Sequence, residues 1–389
     1  MFFKAVNLFS ILKKVCRQGV VRIRSSRMVQ FFISARQRLK DFGNILPRFT
    51  GGPRRTRLLV TVLLFLVLML GWFTAWRRYQ GELNAGYIGY AAENKLILIP
   101  AGAHTRSILQ QLEKEGIIRT QWPALFYLWW NKGRSGIKAG EYQFKRAMPS
   151  KNVMDILMEG KIFQRSLTIP EGWNLFQVAE LLESKGFGSK PEIQNLLQNP
   201  ERIRGLDPEA KNLEGYLYPD TYFYTRGTGV AEMLARIVNR FQRVFDDTRR
   251  RRAEELGLDI RDIVILASLI EKETAIPSER ALISAVFHRR LKEGIRLQCD
   301  PTVIYASTLI GKFDGVIRRS DLNLDSPYNT YQVSGLPAGP IANPGLASIE
   351  AALYPSDDKY LYFVARKDGS HRFSASLAEH NKAILLYQR

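Results

Sequence analysis

Two glutamates, Glu271 and Glu273, close an otherwise apolar run, and that placement is where chemistry would be done. From Ile263 to Ile270 the chain reads IVILASLI, apolar except for Ser268, and Glu271, Lys272, Glu273 and Thr274 follow before Pro277 stops any helix. A helix that is apolar nearly all round is buried. Burial disfavours the charged form of a carboxylic acid, which keeps a glutamic acid available as a proton donor near neutral pH. The two acids lie about 200° apart around a helix, so only one of them faces a given substrate. Glu273 extends the face of Leu266 and Ile270, and Glu271 extends that of Val264 and Ala267; periodicity does not choose between them. The bland reading of Glu-Lys-Glu at a helix end is a solvated cap or ion pair.

Four further stretches carry a resemblance. EKETAIPSER, RLKEGIRLQCDPTVIYA, SPYNTYQVSGLPAGPIANPGLASIEAALYP and YLYFVARKDGSHRFSASLAEHN follow in this order through most of the second half of the chain. Together they resemble the YceG-like family of endolytic murein transglycosylases. The resemblance implies an enzyme that cuts peptidoglycan strands internally, between N-acetylmuramic acid and N-acetylglucosamine, leaving 1,6-anhydro ends. It implies that the catalytic acid lies in the Glu-Lys-Glu-Thr motif, and lytic transglycosylases of the lysozyme-like type place theirs before Ser or Thr, which favours Glu273 before Thr274. Glu273 would first protonate the glycosidic oxygen and then take the proton of the sugar's own 6-hydroxyl. An intramolecular nucleophile needs no activated water, so one carboxylate suffices where ordinary glycosidases use two.

Glu271, Gln298, Asp300, Tyr328, Asn329, Thr330 and Tyr331 are the candidate substrate-binding residues around that acid. Amides, hydroxyls and aromatic faces bind sugar hydroxyls and stack on sugar rings. Asp300-Pro301 and Asn329-Thr330 are equally ordinary turn chemistry. GLPAGPIANPG, residues 335 to 345, has too many prolines and glycines to be regular, and predicts a shaped loop.

The elements that must position these groups begin with an internal repeat. Ile99-Pro100-Ala101-Gly102 recurs as Ile169-Pro170-Glu171-Gly172, and Leu112-Glu113-Lys114-Glu115-Gly116 as Leu182-Glu183-Ser184-Lys185-Gly186, both offset by 70. Each copy reads as a strand, a Gly turn and an amphipathic helix ended by Gly. GIKAGEYQF, residues 136 to 144, predicts a hairpin or edge strand of the first copy. The second opens a region containing EGYLYPDTYFY, residues 214 to 224, which also resembles the family. Residues 230 to 258 predict one long charged helical stretch, with RRRR at 249 to 252 as a solvated face. The family resemblance makes the first copy a small LysM-like module, a class associated with N-acetylglucosamine chains; a spacer holding the site at a set height is the alternative.

Residues 58 to 76 are 19 uncharged, mostly apolar positions with Trp72 and Trp76 at one end, long enough to cross a bilayer. Residues 1 to 57 hold 14 Lys or Arg against one acid, Asp41, a net of +13, which leaves +7 of the chain's +20 for the rest. The positive-inside rule then places the N-terminus in the cytoplasm and the large domain outside. The start is too long and charged for a cleaved leader unless translation begins at Met28, and the organelle transit reading loses to the murein motifs. Because Phe2, Phe3, Leu8, Phe9, Ile11 and Leu12 are mixed among the bases, the tail reads as a segment on anionic lipid or as solvated disorder, and no nucleic-acid partner is predicted.

Cys16 and Cys299 would lie on opposite sides of the membrane, so no disulfide is expected and Cys299 is a packed free thiol. His104, His288, His371 and His380 lack metal-ligand spacing and no GxSxG elbow occurs, so neither metal nor cofactor is predicted.

The expectation is an α+β protein with a basic cytoplasmic tail (1–57), a single N-terminal transmembrane helix (58–76), a linker (77–94), a LysM-like βα module (95–165) and a mixed α+β catalytic domain (166–389). It would be a single-pass protein of the bacterial inner membrane with its catalytic domain periplasmic or otherwise extracytoplasmic. Its substrate would be peptidoglycan glycan strands, and its action would end nascent strand elongation. The resemblance implies peptidoglycan synthases and divisome or elongasome proteins as partners. A hydrolytic muramidase, with Asp300 positioning water, and a non-catalytic wall-binding scaffold are the alternatives.

Overall fold

A computed structural model describes residues 54–91, 94–131 and 136–387. The basic tail and Cys16 lie outside the described residues, apart from the helical backbone from Arg54 onward. Among those described are thirteen α-helices and eight short strands, a mixed helix and strand architecture. They gather into two compact units, one of residues 54–89, 115–130 and 147–153, the other of 90–114, 131–146 and 154–387.

The first unit is organised by α1 (Arg54–Asn84), apolar and exposed over the span predicted from sequence. From Leu58 onward it is long and apolar enough to cross a membrane. The helix continues through much of the expected linker, where Tyr79 and Leu83 become buried. Strand β1 (Gly86–Tyr87) follows it.

Strand β2 (Lys95–Ile99) and α2 (Thr105–Lys114) come next, then α3 (Gln121–Trp130) and β3 (Gly140–Phe144). β3 pairs antiparallel with β2, Ile97 opposite Tyr142, so GIKAGEYQF does contain a hairpin-type edge strand. β4 (Met148–Pro149) pairs with β1, and α4 (Ser150–Glu159) follows. The same chain order returns in β5 (Arg165–Thr168), α5 (Leu175–Ser184), α6 (Lys190–Leu197) and β6 (Thr221–Tyr224), with β5 and β6 antiparallel. The repeat is therefore a strand-helix-helix-strand unit used twice. Gly102 and Gly172 take φ of 75° and 73° in the matching turns, a conformation glycine adopts without penalty. Glu141 of β3 is buried and paired with Arg165 at 2.6 Å and Arg226 at 3.3 Å, which ties the two copies together.

The core of the larger unit lies among α5, α7 (Val230–Val244), α9 (Ile260–Glu273) and α12 (Leu346–Leu353). The predicted single stretch over 230–258 is instead α7 and α8 (Asp247–Leu256), broken where the Asp246 carboxylate accepts from the N–H groups of Thr248 and Arg249. Nor is RRRR a uniformly solvated face. Arg249 Nε donates to Glu350 at 2.7 Å and Arg252 Nε to the Leu353 carbonyl at 3.0 Å, because long guanidinium stems reach back over the helix to uncapped acceptors.

Helices α10 (Arg280–Lys292), α11 (Asp300–Leu309) and α13 (Leu377–Tyr387), with the antiparallel pair β7 (Tyr362–Ala365) and β8 (His371–Ser374), complete the chain. Asp300-Pro301, read from sequence as turn chemistry, opens α11, where proline's missing N–H costs nothing.

Candidate active site

Helix α9 starts with a capping box, Asp259 and Asp262 each bonding the other's backbone N–H, and residues 263 to 270 are all buried. Glu273 is its last residue, and Thr274 leaves the helix with extended backbone. Loss of hydration pushes the Glu273 carboxyl up to about 7. The helix C-terminus, where the partial charge is negative, acts in the same direction. The Cys299 thiol donates to this carboxyl and opposes the shift, while Asp300 adds to it. The residue as a whole is partly buried, and its carboxyl lies beside Cys299 and Asp300.

The backbone leaving α9 is braced. Thr274 Oγ1 donates to Glu279 Oε2 at 3.2 Å and accepts from the Ile276 N–H at 3.0 Å. Glu279 also accepts from the His371 N–H at 2.8 Å and meets His371 Nδ1 at 2.7 Å. Burial alone would raise the Glu279 carboxyl, but its bonds to His371 and Thr274 outweigh that and hold it low. His371 also favours the charged form of Glu273, as does the buried Arg290. Arg290 fastens the surroundings, donating to the carbonyls of Leu361 at 2.6 Å, Arg296 at 3.1 Å and Leu297 at 2.9 Å.

Of the candidates named from sequence, Asp300 and Tyr331 come together near Glu273. Asp300 and Tyr331 both enter its electrostatics, and Tyr331 OH donates to Asp300 Oδ1 at 2.6 Å. Gln298 is exposed and stands with φ 50°, the one non-glycine at positive φ among the described residues. Such strain persists where the surroundings hold it, here through its N–H to the Thr330 carbonyl at 3.2 Å.

Asn329 and Thr330 are fully buried and spent on the scaffold. Asn329 Nδ2 donates to Leu322 and Leu324 carbonyls at 3.1 and 2.8 Å, and Thr330 Oγ1 accepts from the Cys299 N–H at 2.9 Å. Tyr328 packs on Tyr305 with ring centroids 5.0 Å apart. Glu271 points elsewhere, as its spacing requires, and accepts from the Gly345 N–H at 3.0 Å.

Four groups escaped the sequence reading. Glu279 and His371 lie far apart in the chain, and only the fold joins them. Glu171 was visible only as a repeat position; burial and the nearby Glu271 raise its carboxyl, and it abuts Gly345. Glu214, inside EGYLYPDTYFY, is fully buried, accepting from the Leu175 N–H at the start of α5 and from Tyr305 OH at 2.9 Å. Burial pushes it up to about 8, so near neutrality it is held as the acid. Asn343 Nδ2 joins it at 3.3 Å and donates to Trp173 O at 2.7 Å. The loop 335–345 is irregular, as predicted, yet residues 339 to 345 are buried and run through the core instead of over the surface. Ile341 N–H donating to Ser268 Oγ at 3.1 Å shows how its polar backbone is satisfied there.

The fold and site thus define a mixed α+β protein with a raised carboxyl group at the end of a buried helix, flanked by a Tyr-Asp pair. The YceG-like family model matches residues 97–385, and the chain belongs to that family. It is 34% identical over 302 residues to the endolytic murein transglycosylase of Bacillus subtilis (strain 168), covering 74% of this chain and 83% of that protein. The endolytic murein transglycosylase of Streptococcus pneumoniae serotype 2 (strain D39) is 28% identical over 319 residues, and the match spans 57% of that longer protein. A crystal structure of a yceG-like protein from Listeria monocytogenes superposes with a TM-score of 0.52 at 34% identity, covering 75% of this chain and all of that one.

Proposed function

We propose that this chain is an endolytic murein transglycosylase, a lyase that cleaves the MurNAc-GlcNAc bond within peptidoglycan strands, with Glu273 as its catalytic acid and then base. The observation that carries the reading is the Glu273 carboxyl held at about 7 at the end of its helix, with Asp300 and Cys299 beside it. A group with that pKa gives up a proton and takes it back at neutral pH with little cost in either direction. Protonated Glu273 donates to the glycosidic oxygen as the C–O bond breaks and positive charge builds on the muramic acid anomeric carbon. The resulting carboxylate removes the proton of the 6-hydroxyl as that oxygen closes on the anomeric carbon, and the acid is restored.

Gln298, Asp300 and Tyr331 bind the sugar hydroxyls and ring faces beside it. Asn329, Thr330 and Tyr328 shape that surface from behind, and Glu271 sets the loop at Gly345. The Cys299 thiol, Arg290 and His371 keep the Glu273 carboxyl from rising further. The first repeat unit is a LysM-like module, a reading supported by its strand-helix-helix-strand order, and it engages glycan. The apolar helix anchors the protein in the bacterial inner membrane with the N-terminus cytoplasmic and the catalytic unit outside. There it ends nascent strands beside the peptidoglycan synthases and the divisome or elongasome.

The test is mass spectrometry of uncrosslinked glycan strands after incubation with the full chain in detergent micelles and with its Glu273→Gln variant. Anhydro-ended fragments, one water lighter than hydrolysed ends and absent with the variant, are expected. Reducing ends would make the protein a muramidase with Asp300 directing water, and intact strands would leave a scaffold. Because the acid form is needed first, cleavage is expected to fall about tenfold per pH unit above 7. A rate flat from pH 6 to 9 would sink the assignment.

A further inference from the structure

Helix α3 exposes its most apolar face. Trp122, Leu125, Phe126, Trp129 and Trp130 recur at helical spacing on one side and are all exposed, Trp130 to 73%, while Pro123 and Ala124 are buried on the other. A monomer in water seldom leaves a contiguous patch of this kind uncovered. The patch is continuous with the anchor helix. The rings of Trp76 and Tyr79 lie 5.5 Å apart, Tyr79 meets Trp122 at 6.0 Å and Phe126 edge-on at 5.0 Å, and Phe126 continues to Trp129 at 5.7 Å.

Position along α1 sets the level of this surface. The 19 apolar residues 58 to 76 are about 28 Å of helix, close to the hydrocarbon thickness of a bilayer. Tyr79 is one turn beyond the end of that span, and α3 packs there. That is the headgroup layer, where Trp and Tyr concentrate because one part of the ring is apolar and another polar. Arg77 and Arg78, exposed beside Tyr79, and the exposed Arg119 just before α3 are placed to meet lipid phosphates.

We propose that α3 lies in the outer headgroup layer of the membrane as a second, interfacial contact beside the transmembrane helix. The inference rests on the membrane-anchor reading above and adds to it. Two contacts hold the first unit in a fixed orientation, where a single helix would leave it free to swivel. Lipid fits this face better than glycan does, because α3 carries no charged side chain among its rings and sugar recognition needs hydrogen-bonding groups beside the stacked ring.

The experiment is tryptophan emission of the full chain in phosphatidylcholine-phosphatidylglycerol vesicles, with Trp72, Trp76 and Trp173 replaced by Phe so that only the three α3 indoles report. Bromines high on the acyl chains are expected to lower emission about twofold, and bromines near the bilayer centre to lower it less. Emission unchanged by either bromolipid overturns the proposal. So does an emission change produced only by glycan strands, or iodide shielding that grows with protein concentration, which would assign the face to sugar or to a second copy.

Trp130 is the most exposed of the set, so a Trp130→Cys, Cys16→Ser chain carrying a nitroxide supplies a second measurement that does not depend on the multiple replacement. Its collisions with oxygen should exceed those with a water-soluble nickel chelate, and the reverse order sinks the idea. Alkaline extraction separates the two readings. A chain washed off the vesicles fails the anchor itself, whereas a retained chain without bromolipid quenching fails only α3.

Discussion

The two strand-helix-helix-strand units share a plan and differ in what surrounds it. Both have an Ile-Pro-x-Gly turn with glycine at positive φ, and both end their first helix at a glycine of positive φ, Gly116 or Gly186. In the first copy the turn residues Ala101 and Gly102 are exposed, and among the described residues no group lies within reach of a side chain at 102. In the second, Gly172 is packed against Glu271 and Lys272, Glu171 abuts Gly345, and the Gly172 N–H donates to the Asn343 carbonyl at 2.9 Å. The start of α5 is capped by Asn174 and held by the buried Glu214, whereas the equivalent position 70 residues earlier is His104. The turn of the second copy is thus packed against the end of α9, whereas the turn of the first is open. A shared local code makes the unit; the residues between the repeated positions decide its use.

The largest effect should come from the helix that the second copy supports. Glu273→Gln is expected to lower cleavage at least about a thousandfold, since an amide cannot donate an acidic proton, while the melting profile stays that of the parent. Glu214→Ala should cost about 3 kcal/mol or more in urea unfolding, because the Leu175 N–H, Tyr305 OH and Asn343 amide lose a common buried acceptor.

Glu214 also predicts a pH dependence. Its folded pKa, about 8, exceeds the unfolded value, so the unfolded state binds fewer protons between the two and stability falls as pH rises from about 5 to 8. Glu214→Gln, an isostere of the protonated acid, should flatten that slope, and an unchanged slope would place its source elsewhere.

The tie between the copies is smaller. Glu141→Ala removes the partner of Arg165 and Arg226, both of which still reach water, so about 1–2 kcal/mol is expected. Arg165 in particular holds the Glu141 carboxyl below the usual range, so this contribution is present at neutral pH and is lost as pH falls toward that pKa. The finest contrast is between equivalent cap positions. Asn174→Ala should destabilise by about 1 kcal/mol through the lost N-cap, and His104→Ala by less than about 0.5. Equal costs would mean that the two copies are supported alike.

What the sequence determined by itself was local or periodic. The buried run before Glu271 and Glu273 was legible because apolar side chains at every helical face leave only one environment for it. The repeat was legible because Ile-Pro-x-Gly and a terminal glycine act within a few residues. The long apolar helix was legible because length and hydropathy alone mark it. Gln298, Asp300 and Tyr331 were legible only as candidates, polar and aromatic groups in motifs that resemble the YceG-like family.

Tertiary structure decided what depends on partners distant in the chain. It gave the two glutamates different surroundings, Glu271 at the Gly345 N–H and Glu273 beside Cys299 and Asp300, which their spacing alone does not specify. It brought His371 to Glu279 across 92 positions and Asn343 to Glu214 across 129. It turned Asn329 and Thr330 inward, and it drew a proline-rich loop through the core, where Ser268, Trp173 and Gly172 satisfy its backbone. Protonation followed from those encounters, because a carboxyl group's pKa is set by the water it loses and the charges it meets, and neither is written in the residues beside it.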